Sequence, residues 1–134
     1  MHDDVLILSA LPKTWIFDLD GTVVRHNGYL TDGEDTLLES AREFLDSVPK
    51  TDTVVFLTSR GPELEEETVG FLDRNGIRHD HIVFGLPAGE RILVNDRKPS
   101  GLATAYAINV DRDSSGFPDV RIDGGLRCSR SAGA

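Results

Sequence analysis

Cysteine is nearly absent: Cys128 is the sole example among 134 residues. An internal disulfide is therefore excluded, and nothing in the thiol content calls for an oxidising compartment, so the cytoplasm is the expected location. Positive charge is also short. Lys and Arg number 14 against 23 Asp and Glu, a formal net charge of −9. Sequence-independent binding to nucleic acid needs a positive face, so no nucleic-acid partner is expected. An anionic substrate would be repelled unless its site were locally positive. No apolar run approaches the roughly 20 residues a membrane-crossing helix requires, and no membrane association is expected. The opening MHDDVLILSALP begins acidic, which makes a poor secretion signal. Internal repeats are missing too. What remains is an ordinary globular composition, 39% hydrophobic and 28% charged, on a chain long enough for one domain with a core.

Apolar runs alternate with helical patterns. Thr14 to Leu19 reads as a buried strand, and residues 21 to 32 as a polar loop or small flap. From Glu34 to Val48, the residues Leu37, Leu38, Ala41, Phe44, Leu45 and Val48 form one stripe at helical spacing, which Pro49 ends. TVVFLT (53–58) is a second apolar strand. Pro62 opens another helix at a position where its missing N–H costs nothing, and Glu63, Glu65, Glu66 and Glu67 suit the positive end of the helix dipole. Asn75-Gly76 is a plausible stop. HIVFG (81–85), RILVN (91–95) and TAYAINV (104–110) read as three further strands. Strands alternating with helices predict an α/β fold with a mostly parallel sheet covered on both faces. The expected core runs over residues 1–113, with 1–12 as an N-terminal extension. Residues 114–134 are expected to form a partly flexible tail with one extended segment near Val120 to Ile122.

In open parallel sheets ligands bind beyond the carboxyl ends of the strands. Past those ends lie Asp18 and Asp20, then Thr58, Ser59 and Arg60, then Asn95 and Asp96 with Arg97 and Lys98 after them. Two carboxylates in a crevice repel each other, and a divalent cation removes the conflict. Mg²⁺ takes about six oxygens, usually with only one or two protein carboxylates. Asp18, Asp96 and a backbone carbonyl meet that need. Thr58 can donate to a phosphate oxygen; the alternative is a β-branched residue chosen for its strand preference. Arg60, near a helix start, is either an anion ligand or a solvated surface side chain. Lys98 can bind phosphate as a point charge, with Arg97 as its competitor. His79 and His81 have no third histidine or cysteine beside them, so a metal pair is not expected there, and His26 in the flap is a candidate substrate contact.

With these residues in place, FDLDGTVV resembles the first motif of the haloacid dehalogenase superfamily, the aspartate-nucleophile phosphohydrolases. VVFLTSRG resembles the second motif and RILVNDRKP the fourth, a similarity running from about residue 14 to residue 110. The resemblance implies a three-layer, Rossmann-like α/β/α domain. It implies a phosphomonoester hydrolase in which Asp18 attacks phosphorus to form an aspartyl-phosphate, and Asp20 protonates the leaving group and then activates water. Thr58, Ser59, Arg60 and Lys98 would bind the phosphoryl group. Mg²⁺ would be held by Asp18, the backbone carbonyl of Asp20, and Asp96. Two departures stand out. Asn95-Asp96 replaces the two acids of many members, and the third motif's cation has only Arg91 in its usual place, so Lys98 is the preferred substitute. The short stretch after Gly21 and the single helix and strand between Thr58 and Asp96 leave no room for a cap domain. A capless site is open, and a large substrate, a second copy or a partner would have to cover it. The expected substrate is a small phosphorylated metabolite such as a sugar phosphate. The alternatives are a non-catalytic interaction or regulatory module on the same fold, and a phosphatase for polynucleotide ends or phosphoproteins.

Overall fold

The computed structural model describes residues 5–129, which form two compact units. One comprises residues 12–88 and 110–117; the other comprises the segment before residue 12, residues 89–109 and the segment from residue 118 onward. The α/β class and the parallel strand pairing expected from the alternation of elements are both present. Among the described residues no helix is long and apolar enough to cross a membrane.

In the unit built on residues 12–88, strands β2 (Thr14–Asp18), β3 (Thr53–Leu57) and β4 (His81–Val83) form a parallel sheet in that order. The strand β1 (Val5–Leu8) belongs to the other unit. Register places Trp15 beside Val54, Phe17 beside Phe56 and Asp18 beside Leu57. Side chains alternate along a strand, so Trp15, Phe17, Val54 and Phe56 share one face. That face is the core: Phe17, Val54 and Phe56 are buried, whereas Ile16 on the opposite side is 50% exposed. Ala41 and Leu45 on α2 (Glu39–Asp46), Leu72 on α3 (Glu65–Arg74), and Leu19, Val23, Val24, Val48 and Ile77 join the cluster. Phe44 and Phe117 stack with ring centres 4.9 Å apart, and Phe44 meets Trp15 edge-on at 5.5 Å. Residue 117 lies in the segment expected to be a loose tail, so at least its first part is packed. A short helix, α1 (Gly28–Thr31), sits inside the stretch expected to be a flap.

The helix expected from Glu34 begins instead at Glu39. The reason is a competing backbone partner. Leu37 bridges antiparallel to Val24, Arg25 N–H donates to Thr36 O (2.9 Å) and Leu38 N–H to Val23 O (2.9 Å). Residues 36–38 are thus drawn into extended pairing. Pro62 stands at the head of a 3₁₀ turn (Pro62–Leu64) that leads into α3, and Glu65, Glu66 and Glu67 occupy its first turn as expected. Asn75 closes α3, and Gly76 follows at φ 66°.

In the other unit, β1 pairs in parallel with β5 (Asp119–Ile122), which coincides with the extended segment expected near Val120 to Ile122. The strands expected at 91–95 and 104–110 are not formed. An apolar run becomes a strand only when a neighbour takes its backbone hydrogen bonds. Here Ile92 is 85% and Val94 90% exposed, and the polar groups bond locally. Lys98 N–H donates to Leu102 O (3.0 Å), and the Asn95 side chain donates to Thr104 Oγ1 (2.8 Å).

The β2–β3 aromatic face should dominate stability. Phe56→Ala is expected to cost about 3–5 kcal/mol, the usual range for deleting a buried aromatic ring. Urea denaturation of the purified chain measures it, and a loss under about 1 kcal/mol would mean that this face is not the core.

Candidate active site

The D-x-D-G-T stretch begins where β2 ends. Leu19 is buried, and its carbonyl accepts from Val23 N–H (2.9 Å) and Val24 N–H (3.1 Å), with Thr22 N–H at 3.3 Å. Gly21 N–H donates to Val24 O (2.7 Å). The chain therefore coils tightly round one carbonyl immediately past the strand. Gly21 has φ 85°, a conformation that side chains with a Cβ resist. A Cβ there would also lie 3.2 Å from Cγ of Arg112. The turn turns both carboxylates to one place: Asp18, Asp20, Gly21, Thr22, Val110 and Arg112 line a pocket of about 240 Å³. Thr22 Oγ1 lies 3.5 Å from Asp18 Oδ2.

Residues 110–117 form the other wall. Asp113 N–H donates to Gly21 O (2.8 Å), and Asp113 Oδ1 accepts from His26 N–H (2.8 Å). Asp113 adopts φ 57°, a left-handed conformation that aspartate tolerates better than most residues. These bonds hold Arg112 at the pocket. Sequence reasoning missed Arg112 because it follows an apolar run read as a strand, and nothing local marked it as facing the first motif.

Thr58 and Arg60 come from the end of β3. Thr58 follows Leu57, the partner of Asp18 in the register, so the second motif closes beside the first. Thr58 is 1% exposed, and its Oγ1 accepts from Arg60 N–H (3.1 Å). Ser59 is exposed. Arg60 is buried and spans two acids. Nε donates to Asp20 Oδ2 (3.0 Å) and Nη2 to Asp20 Oδ1 (2.8 Å). Nη2, the nitrogen that meets Asp20 Oδ1, also donates to Asp35 Oδ1 (2.7 Å), and Nη1 donates to Asp35 Oδ2 (3.0 Å) and Thr68 Oγ1 (3.0 Å). The guanidinium carbon lies 4.3 Å from the centre of the Tyr29 ring. Burial works against the charged form, but hydrogen bonds to Asp35 and Asp20 and their negative charges outweigh it. The guanidinium is held above its ordinary pKa. Neither Asp35 nor Tyr29 was legible as a partner, since both sit in a polar stretch without periodicity.

Asn95, Asp96 and Lys98 belong to the other unit. Asp96 is exposed, and its backbone carbonyl accepts from Thr104 Oγ1 (2.6 Å). Lys98 is half-buried in a turn closed by Gly101 N–H to Lys98 O (2.8 Å). Arg97 and Arg91 are exposed. His79 Nε2 pairs with Asp73 Oδ1 at 2.8 Å, an ordinary surface pair.

Among the described residues no group of three or more His, Cys, Asp and Glu is assembled to hold a metal ion. The donors at the end of β2 are nonetheless all oxygen: the Asp18 carboxylate, the Thr22 hydroxyl and the backbone carbonyls of the turn. Hard oxygen donors with one or two carboxylates fit Mg²⁺, which keeps water and substrate oxygens in most of its positions. Comparison with family models, curated proteins and solved structures gave no match.

The turn requires glycine. Gly21→Ala should destabilise by about 1–2 kcal/mol from the left-handed backbone alone. Thermal unfolding followed by circular dichroism tests this, and an unchanged midpoint would contradict the turn geometry.

Proposed function

We propose that this chain is a Mg²⁺-dependent phosphomonoester hydrolase of the haloacid dehalogenase type, on a capless three-layer α/β/α scaffold. One observation carries the reading. Asp18 and Asp20 of the D-x-D-G-T stretch line one small pocket past the end of a parallel strand, where such sheets bind ligands. At about 240 Å³ the pocket falls just below the range typical of drug-sized ligands, which favours a small ester such as a sugar phosphate.

The chemistry follows from the two carboxylates. An Asp18 oxygen attacks phosphorus, the bond from phosphorus to the ester oxygen breaks, and Asp20, which must carry a proton when the ester binds, gives it to the departing oxygen. Water then attacks phosphorus and yields its proton to Asp20. The bond to Asp18 breaks, and inorganic phosphate leaves. A covalent nucleophile splits one hard displacement into two easier ones. Bound Mg²⁺ would neutralise charge on the transferring group, with Asp18 and the backbone carbonyl of Asp20 as its protein ligands here. Thr58 and Ser59 as phosphate contacts are what the motif resemblance adds. Arg112 adds a cation at the pocket wall and offsets the acids there, which a chain of net charge −9 needs if an anion is to approach.

Asp18→Asn should reduce turnover of p-nitrophenyl phosphate by about 10⁴-fold or more, the scale seen when a catalytic nucleophile is removed. Its melting temperature should stay near that of the parent chain. Parent-like turnover in this variant would refute the nucleophile assignment.

A further inference from the structure

We propose that Arg60 is a positioning residue that fixes the direction of the Asp20 carboxylate, with Asp35 and Thr68 fixing Arg60 in turn. This role rests on the phosphatase reading above and deepens it.

A guanidinium has five N–H donors in a rigid fork. At Arg60 all five are engaged, two with Asp20, two with Asp35 and one with Thr68. The Arg60 side chain is 2% exposed, and the Tyr29 ring covers one face. No donor is left over for a substrate phosphate. Charge balance does not explain the arrangement either. Asp35 is itself 4% exposed and would neutralise the cation alone. The second fork, to Asp20, is surplus to neutrality, and its effect is geometric. Both oxygens of Asp20 are gripped, so its side chain cannot rotate. Asp20 is also the member of the cluster that opens to the pocket, at 20% side-chain exposure. Each carboxylate oxygen keeps a further lone pair beyond the one Arg60 uses, so contact with a substrate remains open. Proton transfer depends on such alignment, since an acid must lie within hydrogen-bond reach of the atom it serves.

The fork thereby ties Asp20 to three other segments: the end of β3, the stretch carrying Tyr29 and Asp35, and α3 through Thr68. Lysine cannot reproduce this grip, because an ammonium is a point charge without a planar fork.

The test compares two esters hydrolysed by the full chain with Mg²⁺ present. Glycerol phosphate has a poor leaving group that needs a proton, whereas p-nitrophenyl phosphate has one that leaves unaided. Because Asp20 also serves the second step on either ester, the rate to compare is release of the leaving group in the first turnover: Arg60→Lys should slow it by about 10²-fold for glycerol phosphate and by less than about fivefold for p-nitrophenyl phosphate, with KM unchanged for both. Equal losses on the two esters would show a merely structural role and overturn the proposal. So would a rise in KM together with weaker inhibition by inorganic phosphate, which would make Arg60 a direct phosphate ligand. If Arg60→Lys fails to melt cooperatively, Asp35→Asn decides. It leaves the guanidinium in place but loosens it, and should give the same ester-selective loss; a uniform loss overturns the role. A readout independent of turnover is the Arg60 Nε–H resonance in ¹⁵N-labelled protein. It should be slowly exchanging and should shift in Asp20→Asn, and an unmoved resonance would deny the pairing. Inactivity of the parent chain on both esters would sink the phosphatase reading and this role with it. An active parent with uniform losses would sink the role alone.

Discussion

The unit that carries the first two motifs is organised around a buried cation between two acids. Arg60 leaves the end of β3 and reaches Asp20 beyond β2 and Asp35 ahead of α2, segments distant in sequence. Removing one partner of a buried ion pair strands the other charge and costs about 3–5 kcal/mol. Replacing the whole set by well-packed apolar residues is often neutral, so the cluster's contribution is better read as specificity than as net stability. It allows one arrangement of the β2 turn, the flap and α3. The aromatic face beneath supplies the burial, through Phe17, Phe56 and Phe44.

Two levels of structure meet at Gly21. The parallel register sets Asp18 opposite Leu57, which brings the ends of β2 and β3 together. The left-handed turn then reverses the chain so that Asp20, two residues on, lines the same pocket as Asp18. A chain of net charge −9 gathers acids here and offsets them with arginines from elsewhere, Arg60 behind Asp20 and Arg112 in the lining. Electrostatics that the overall charge would forbid become workable because the cations are placed locally.

Much of this frame could be read from residue patterns. The apolar runs at 14–19 and 53–58, Pro62 with its acids, and the stop at Asn75-Gly76 all signal their elements through local chemistry, and each appears close to where it was expected. The extended segment near Val120 was legible for the same reason. What could not be read depended on partners distant in sequence. RILVN has the composition of a strand, yet among the described residues no strand pairs with it, and it stays irregular and exposed. The start of α2 shifted because residues 36–38 pair with 23–25. Arg60 was legible as a cation near a site, but its partners Asp35 and Tyr29 were not, because a polar flap carries no periodicity to say which way its side chains face.

In the proposed mechanism Asp18 meets the phosphoryl group while Arg60 holds Asp20 in place beside it. A crystal structure of the full chain with Mg²⁺ and beryllium fluoride, a phosphoryl mimic, tests both halves at once. Beryllium of the trifluoroberyllate should be bonded to an Asp18 carboxylate oxygen, with Asp20 still forked to Arg60 and facing it. An anion bound away from Asp18, or an Asp20 released from Arg60 and turned out of the pocket, would contradict the mechanism.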